Sequence, residues 1–542
     1  MASTSLVGIP HRLARRHPWS PCAVAACLTL SSFAALAQHG GSTLWVSSSR
    51  YGGNIATVIP GVSVTGGVVA AYDGTFPAVF QNALADGSFG VTSGIALDAF
   101  DLERSRWRGH LNVSAAAQAL GTPLVTSFSS KSELALHLSP DGRTLSFMGY
   151  GTTLNQLDVS NSNTPGLIDP SNPVTSAVPR AIGDLQLDDG TLHVSYVNAY
   201  SGNNGRATVR VNGVHYMVGN AGNSGKTVSN GVLDQLSADT GVQALDTRTA
   251  PMVAGAYDAT VIGTPTCASC AGTGKGNQYG FSVTQLGVAA DKTGKDDNFR
   301  GLTVYDHTLY VTKGSGGNGV NTVYQVGASG ALAHGGTLDP KTTPISILPG
   351  FNTTLAKTAV GGPNPFGIWF ASPTVLYVAD EGDGVVADAP TSTYAGLQKW
   401  TFDGTQWHLA YVLQSGLNLG VNYTVQGGLN ADGSVDPKGT LYRYTAATDG
   451  LRSLSGQLND DGTVTLYAVT STVSTGTGDQ GADPNKLVRI TDRLAWTQPA
   501  QAAAERFVEL RTAEYGQVLR GVALVPGRAT DDHSQAGIAL AR

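Results

Sequence analysis

An all-β chain, folded as a β-propeller of six or seven four-stranded blades, is predicted by three features of this sequence. The stretch from Asn364 to Leu413 reads as one complete four-stranded unit. Looser copies of its first half recur along the chain. The two ends are also complementary, because the first strand-like run lacks a partner that the last one supplies.

Phe366-Gly367-Ile368-Trp369-Phe370, Leu376-Tyr377-Val378-Ala379, Gly396-Leu397-Gln398-Lys399-Trp400 and Trp407-His408-Leu409-Ala410-Tyr411 are four β-prone runs. Breaks rich in Gly, Pro, Asp and Ser separate them, as in a four-stranded antiparallel sheet. Asp403-Gly404, between the third and fourth runs, is a hairpin signal, since that pair tolerates positive φ. The runs are lettered A, innermost, to D.

In chain order, Thr43-Leu44-Trp45-Val46 is a B-type run with no A run before it. Pairs of A and B runs follow. Leu134 to Leu138 leads through Asp141-Gly142 into Leu145 to Met148, and Ala207 to Val211 leads through Asn212-Gly213 into His215 to Val218. Leu302 to Tyr305 precedes Leu309 to Val311, and an A run from Leu454 passes Asp461-Gly462 to reach Leu466 to Val469. The missing A run comes last, at Arg520 to Val525. Pairing it with the N-terminal blade closes the ring and removes two exposed strand edges. That makes six units, and their long, uneven spacing leaves room for a seventh in residues 50–125 or 230–297. Ala-rich sequence in residues 497–512 predicts a short helix before the final strand.

Composition agrees with this reading and excludes others. Charged residues make up 13% of the 542, against roughly 25% in an average soluble chain. The 69 glycines suit many tight turns. A net charge of −6 offers no basic surface for nucleic acid, and no apolar run reaches the ~20 residues of a membrane-spanning helix. The N-terminus reads as an export signal: His11 to Arg16 is basic, Ala23 to Leu36 apolar, and Ala35-Leu36-Ala37 a small-x-small cleavage site. The expected organisation is a signal peptide over 1–37, a propeller domain over 38–527 and a disordered tail over 528–542, in a secreted or periplasmic protein. Cleavage leaves Cys267 and Cys270, spaced C-x-x-C without a following His. A small disulfide loop is the expected state in an oxidising compartment, with a redox or metal role as the alternative.

Phe366-Gly367-Ile368 and Leu376-Tyr377-Val378-Ala379-Asp380 resemble the NHL and YVTN class of secreted propeller repeats. Leu138-Ser139-Pro140-Asp141-Gly142, Tyr200-Ser201-Gly202-Asn203-Asn204, Gly396 to Trp400 and Leu519 to Leu524 resemble a group of exported bacterial propellers without an established activity. The resemblance covers most of the mature chain and implies a fold, not a reaction.

One alignment across the A runs points to a site. Arg206, Arg300, Arg452 and Arg520 each immediately precede a small residue that opens an A strand, Phe366 holds that place in the complete unit, and Glu133 is its nearest counterpart in the second blade. Inner strands start near the channel mouth, so these side chains are expected to form a partial ring there. Converging guanidinium forks attract a carboxylate or phosphate. The competing reading pairs each arginine with a carboxylate or carbonyl of the next blade, with Asp296, Asp297 and Glu133 available. The B–C loops should open on the same face. In Asp380-Glu381-Gly382-Asp383-Gly384, the oxygens of Asp380, Glu381 and Asp383 are the first candidates for a metal, Ca²⁺ being the cation they would suit, although turn chemistry alone also explains such residues.

Other motifs fail on context. Gly314 to Gly319 matches G-x-G-x-x-G but precedes no helix, and Gly225-Lys226-Thr227 lacks the first glycine of a phosphate loop. There is no nucleophile elbow and no H-E-x-x-H. His193, His215 and His408 fall in strands, where packing roles are expected. The function expected from the sequence is an exported propeller that binds a small anionic ligand or a protein partner on its loop face. The alternative is a metal-dependent hydrolase or lactonase using carboxylates at the channel mouth. A quinoprotein oxidoreductase stands third, without a haem motif to support it.

Overall fold

A computed structural model describes residues 41–50, 92–222, 240–248, 296–423, 446–474 and 483–527, apart from positions 129, 155, 157–158, 166, 170–171, 173, 175, 340–342, 360 and 515, together with several two- or three-residue strands. The expected signal peptide, C-terminal tail, Cys267, Cys270 and Gly225-Lys226-Thr227 lie outside the described residues.

Six antiparallel blades form the ring. In the first, strand A is Gln517–Val525, B is Thr43–Arg50, C is Thr92–Asp101 and D is Arg106–Asn112. The C-terminal strand therefore completes the N-terminal blade, Leu44 facing Leu524 and Val46 facing Val522. The second blade runs His137–Leu138, Thr144–Tyr150, Arg180–Gln186 and Leu192–Val197, and Ala256–Asp258 adds a parallel strand outside it. The third contributes Gly205–Val211, Val214–Gly219 and Gly241–Asp246 among the described residues. The fourth is Gly301–Tyr305, Thr308–Lys313, Thr322–Val326 and Ile345–Ile347. The complete unit read from the sequence is the fifth blade: Pro365–Ser372, Val375–Asp380, Gly396–Phe402 and Trp407–Leu413. The sixth is Ala446–Leu458, Thr463–Ser474, Lys486–Arg493 and Val508–Thr512.

Within the stretches that left room for a seventh blade, the described residues serve the first and third blades. Residues 92–112 are the outer half of the first blade, and Gly241–Asp246 is the C strand of the third. The expected helix within 497–512 is also absent. That stretch turns and then forms the outer strand of the sixth blade, with Ala502 and Phe507 buried in its core. Few residues separate Trp496 from Phe507, and a helix that short gains little by itself. Tertiary anchors decide the path, including the Phe507 amide on the Ser415 carbonyl. Among the described residues an α-helix forms at Val113–Ala119, capped by Asn112, which accepts from the Ala115 amide at 3.0 Å.

Apolar clusters lie between successive blades. Trp45, Leu97, Leu145 and Phe147 join the first to the second. Met148, Ile182, Tyr200 and Met217 join the second to the third. Tyr377, Leu397, Leu466 and Ile490 join the fifth to the sixth, and Leu44, Val46, Tyr467 and Leu524 join the sixth back to the first. Burial of both faces of each sheet shows in the B strands, which are buried along their length rather than at alternate residues.

At the axis the inner strands come unusually close. A Cβ on Gly301 would lie 1.9 Å from the Phe366 carbonyl oxygen, one on Gly367 2.4 Å from that of Arg452, and one on Gly521 2.4 Å from that of Leu134. Glycine follows the ring position because the next blade's backbone occupies the space of a side chain. Hydroxyls from B strands stitch the same level. Ser47 Oγ accepts from the Gly521 amide at 2.8 Å and donates to the Leu134 carbonyl at 2.6 Å. Thr312 Oγ1 accepts from the Gly301 amide at 3.0 Å and donates to the Phe366 carbonyl at 2.6 Å. No helix of the described residues is long and apolar enough to cross a membrane.

Candidate functional site

The aligned positions do form one buried ring. Glu133, Arg206, Arg300, Phe366, Arg452 and Arg520 are each at most 5% exposed. Arg206, Arg300 and Phe366 stand where their inner strands begin, and Glu133, Arg452 and Arg520 stand beside a close approach between blades.

The arginines are held across blades, and Glu381 is the carboxylate that meets two of them. Its Oε2 accepts from Nε of Arg452 at 3.0 Å, and its Oε1 lies 3.4 Å from Nη1 of Arg300. Arg300 also donates to Ser132 Oγ at 2.7 Å and from Nε to Ser315 Oγ at 2.7 Å. Arg206 donates to the Phe299 carbonyl at 2.8 Å and to the side chain of Asn298. Arg520 donates to the Phe128 carbonyl at 2.5 Å. Burial, together with the charge of Arg300, pulls the Arg206 pKa down to about 9.

Glu133 faces its own set of donors. Thr126 Oγ1 and the Ser127 amide reach Oε2 at 2.8 and 3.1 Å, and the Tyr150 hydroxyl donates to Oε1. Burial and the neighbouring Glu133 charge raise the Tyr150 pKa far above the ordinary phenol, so it acts as a donor. The segment around Glu133 crosses the ring. Phe128 meets Arg520 of the first blade, Ser130 meets Asn204 of the third at 2.8 Å, and Ser132 meets Arg300 of the fourth.

Asp296 and Asp297 are buried beside Gly319 and Gly241, where their charge favours protonated Lys313. Burial nevertheless dominates, and the Lys313 pKa falls to about 7. Lys313 Nζ donates to Asn321 Oδ1 and to the Ser315 carbonyl, both at 2.8 Å.

The three oxygens considered for a metal do not converge. Asp380 accepts from the Asn364 amide at 2.7 Å, Gln398 Nε2 at 2.9 Å and the Gly382 amide at 3.1 Å, which anchors its loop. Burial outweighs these donors and pushes its pKa up to about 7. Glu381 is turned to the arginines, while exposed Asp383 accepts from the Val385 amide at 2.9 Å. Among the described residues, no group of three His, Cys, Asp or Glu side chains is arranged to hold a metal ion.

Beside the ring, a cavity of about 270 Å³ is lined by Lys131, Ser315, Asn321, Asn364, Glu381 and Asp383, with glycines between them. It touches two of the groups that hold Arg300, Ser315 and Glu381.

The histidines serve packing or turns. Buried His215 Nε2 is 2.7 Å from Asp184 Oδ2, and Ser146 Oγ donates to Asp184 Oδ1 at 2.6 Å, which ties the third blade to the second. His408 is exposed and pairs with Asp403 at 2.7 Å. His193 is half-buried on the outer strand of the second blade.

Sequence reasoning missed Arg180. It is fully buried and donates to the carbonyls of Val178, Ser162 and Tyr200 at 2.7, 2.8 and 3.1 Å. Its signal was present, since Arg180-Ala181 repeats the arginine–small pair of Arg206-Ala207, but on a C strand.

The strand order defines a six-bladed β-propeller. No family model matches the chain, so the NHL and YVTN likeness stays with the residues quoted for it. No curated protein matches either. Solved structures similar to it include the β-propeller domain of Myceliophteria thermophila Cps50 (Swd1), at 11% identity over 79% of this chain and 91% of that one, with a TM-score of 0.27. The N-terminal domain of Nup159 follows, at 8% identity over 90% and 97%, TM-score 0.26. The β-propeller domain of the Trilobed protease from Pyrococcus furiosus gives 8% over 78% and 91%, TM-score 0.22. Scores this low add no argument of their own; the fold assignment rests on the strand order.

Proposed function

We propose that this chain is an exported binding protein that holds a small anion at the mouth of its central channel. One observation carries the reading: four buried guanidinium groups share the ring with two carboxylates, Glu133 and Glu381. Charges removed from water are stable only when paired and hydrogen-bonded. Ser132 and Ser315 hydroxyls hold Arg300 at the edge of the cavity, and a carboxylate or phosphate entering there is a stronger acceptor than a hydroxyl. The cavity beside Ser315 and Glu381 gives access, and positive φ at Gly316 and Gly382 turns loop backbone around it. The basic, apolar and small-residue order of the N-terminus supports export.

The test is thermal unfolding of the mature protein with phosphate, sulfate, citrate and other anionic metabolites. A ligand at 100 times its Kd adds about 2.7 kcal/mol to native stability. Stabilisation by an anion, lost in Lys131→Ala and Ser315→Ala while both variants stay folded, supports the reading. No shift with any anion, or a shift that both variants keep, overturns it.

A further inference from the structure

A second cavity differs from the first in chemistry. About 440 Å³ in volume, it lies between the fourth and fifth blades, against the C strand Thr322–Val326 and the outer strands Gly396–Phe402 and Trp407–Leu413. No Asp, Glu, Lys or Arg lines it, and the one histidine on its rim, His408, is already paired with Asp403. Aromatic rings form its walls. Trp400 stacks on Phe351 with centroids 3.9 Å apart, Trp407 packs beside them, and half-buried Tyr394 stands at the side. Uncharged polar groups sit among the rings, Asn352 and Gln398 included.

One polar group is left over. Thr322 lines the cavity, is 1% exposed, and its hydroxyl has no hydrogen-bond partner. A buried hydroxyl without a partner is costly. Trp400, by contrast, is satisfied, donating from Nε1 to Gln398 Oε1 at 2.9 Å.

We infer that this cavity binds a neutral sugar ring. A pyranose presents an apolar C–H face, which aromatic rings cover, and a rim of hydroxyls, which both donate and accept. Aromatic walls with a few placed polar groups and no charge match that ligand, and the volume is in the range of small-molecule sites. A proline-rich peptide would also meet the rings, but its tertiary amides bring no donor to the Thr322 oxygen. The inference is independent of the arginine ring.

The test is a fluorescence titration of the full chain with cellohexaose, maltohexaose and chitohexaose, with a decaproline peptide run alongside. Binding should alter tryptophan emission, because Trp400 and Trp407 form the walls. Tyr394→Ala should weaken binding about tenfold, a loss of one stacking face. Thr322→Val should weaken it about threefold to tenfold, the range for one neutral hydrogen bond. It should not lower the melting temperature, since the hydroxyl it removes has no partner in the free protein. No response to any of the three sugars up to about 10 mM, equivalent to a binding energy weaker than about 3 kcal/mol, overturns the inference. Binding that survives both substitutions, or a response to decaproline alone, overturns it as well.

Discussion

Nε of Arg452 donates to Oε2 of Glu381 across 3.0 Å, from the sixth blade to the fifth, with both side chains no more than 5% exposed. The same carboxylate reaches Arg300 of the fourth blade. Three consecutive blades are therefore fastened through one acidic side chain on a loop.

Removing that charge should be costly to the fold and favourable to anions. Leaving buried cations without their partner costs about 3–5 kcal/mol, and a retained amide hydrogen bond brings Glu381→Gln to the lower end. Urea denaturation should show the loss. In the folded variant, phosphate should raise the melting temperature more than it does in the parent, because one competing negative charge is gone.

Gly301→Ala should destabilise the ring by about 1–3 kcal/mol, the usual cost of overpacking. Its Cβ would stand 1.9 Å from the Phe366 carbonyl oxygen, and neither backbone can withdraw without moving a blade. Gly317→Ala is the control, since no atom lies within 4 Å of the Cβ it would add. Equal urea midpoints for the two variants would contradict the close-approach account.

Stability should pass through a minimum near neutral pH. The Lys313 pKa falls from 10.5 unfolded to about 7 folded, so over that window the unfolded chain binds more protons and stability rises with pH. The Asp380 pKa rises from 3.8 to about 7, so over its window the folded chain binds more protons and stability falls as pH rises. Each limb has a slope of at most about 1.4 kcal/mol per pH unit. Denaturation midpoints across pH 4–10 should show both limbs. Lys313→Met should flatten the alkaline one and Asp380→Asn the acid one.

A chain truncated after Gly516 should lose its cooperative thermal transition. Without Gln517–Val525 the first blade has no inner strand, Trp45 loses its cover, and two sheet edges open to other chains. Calorimetry and size-exclusion chromatography would report the loss as a broadened transition and aggregation.

Much of this was legible in the residues. Asn212-Gly213 makes the expected hairpin, with φ of 52° and 80°, whereas Asp306-His307 makes an equivalent turn with both φ positive and without glycine as a signal. The ring positions could be aligned because each arginine precedes a small residue. The partner could not be aligned: Glu381 belongs to an Asp- and Gly-rich loop whose composition fits a turn, a metal or an ion pair equally. Three other outcomes hung on contacts with no local signature: the path of residues 497–512, the blade count, and the neutral cavity beside Thr322.

By itself the sequence determined the repeat, the closure by the last strand and the alignment of the arginines, because strand alternation, turn residues and small-residue positions are local properties of the chain. Only the tertiary structure decided which charge meets which. Glu381 is 71 residues from Arg452 and Ser132 is 168 from Arg300. Pairing over such separations is fixed by how the blades pack around the axis, where burial forces each charge to take the nearest satisfying partner.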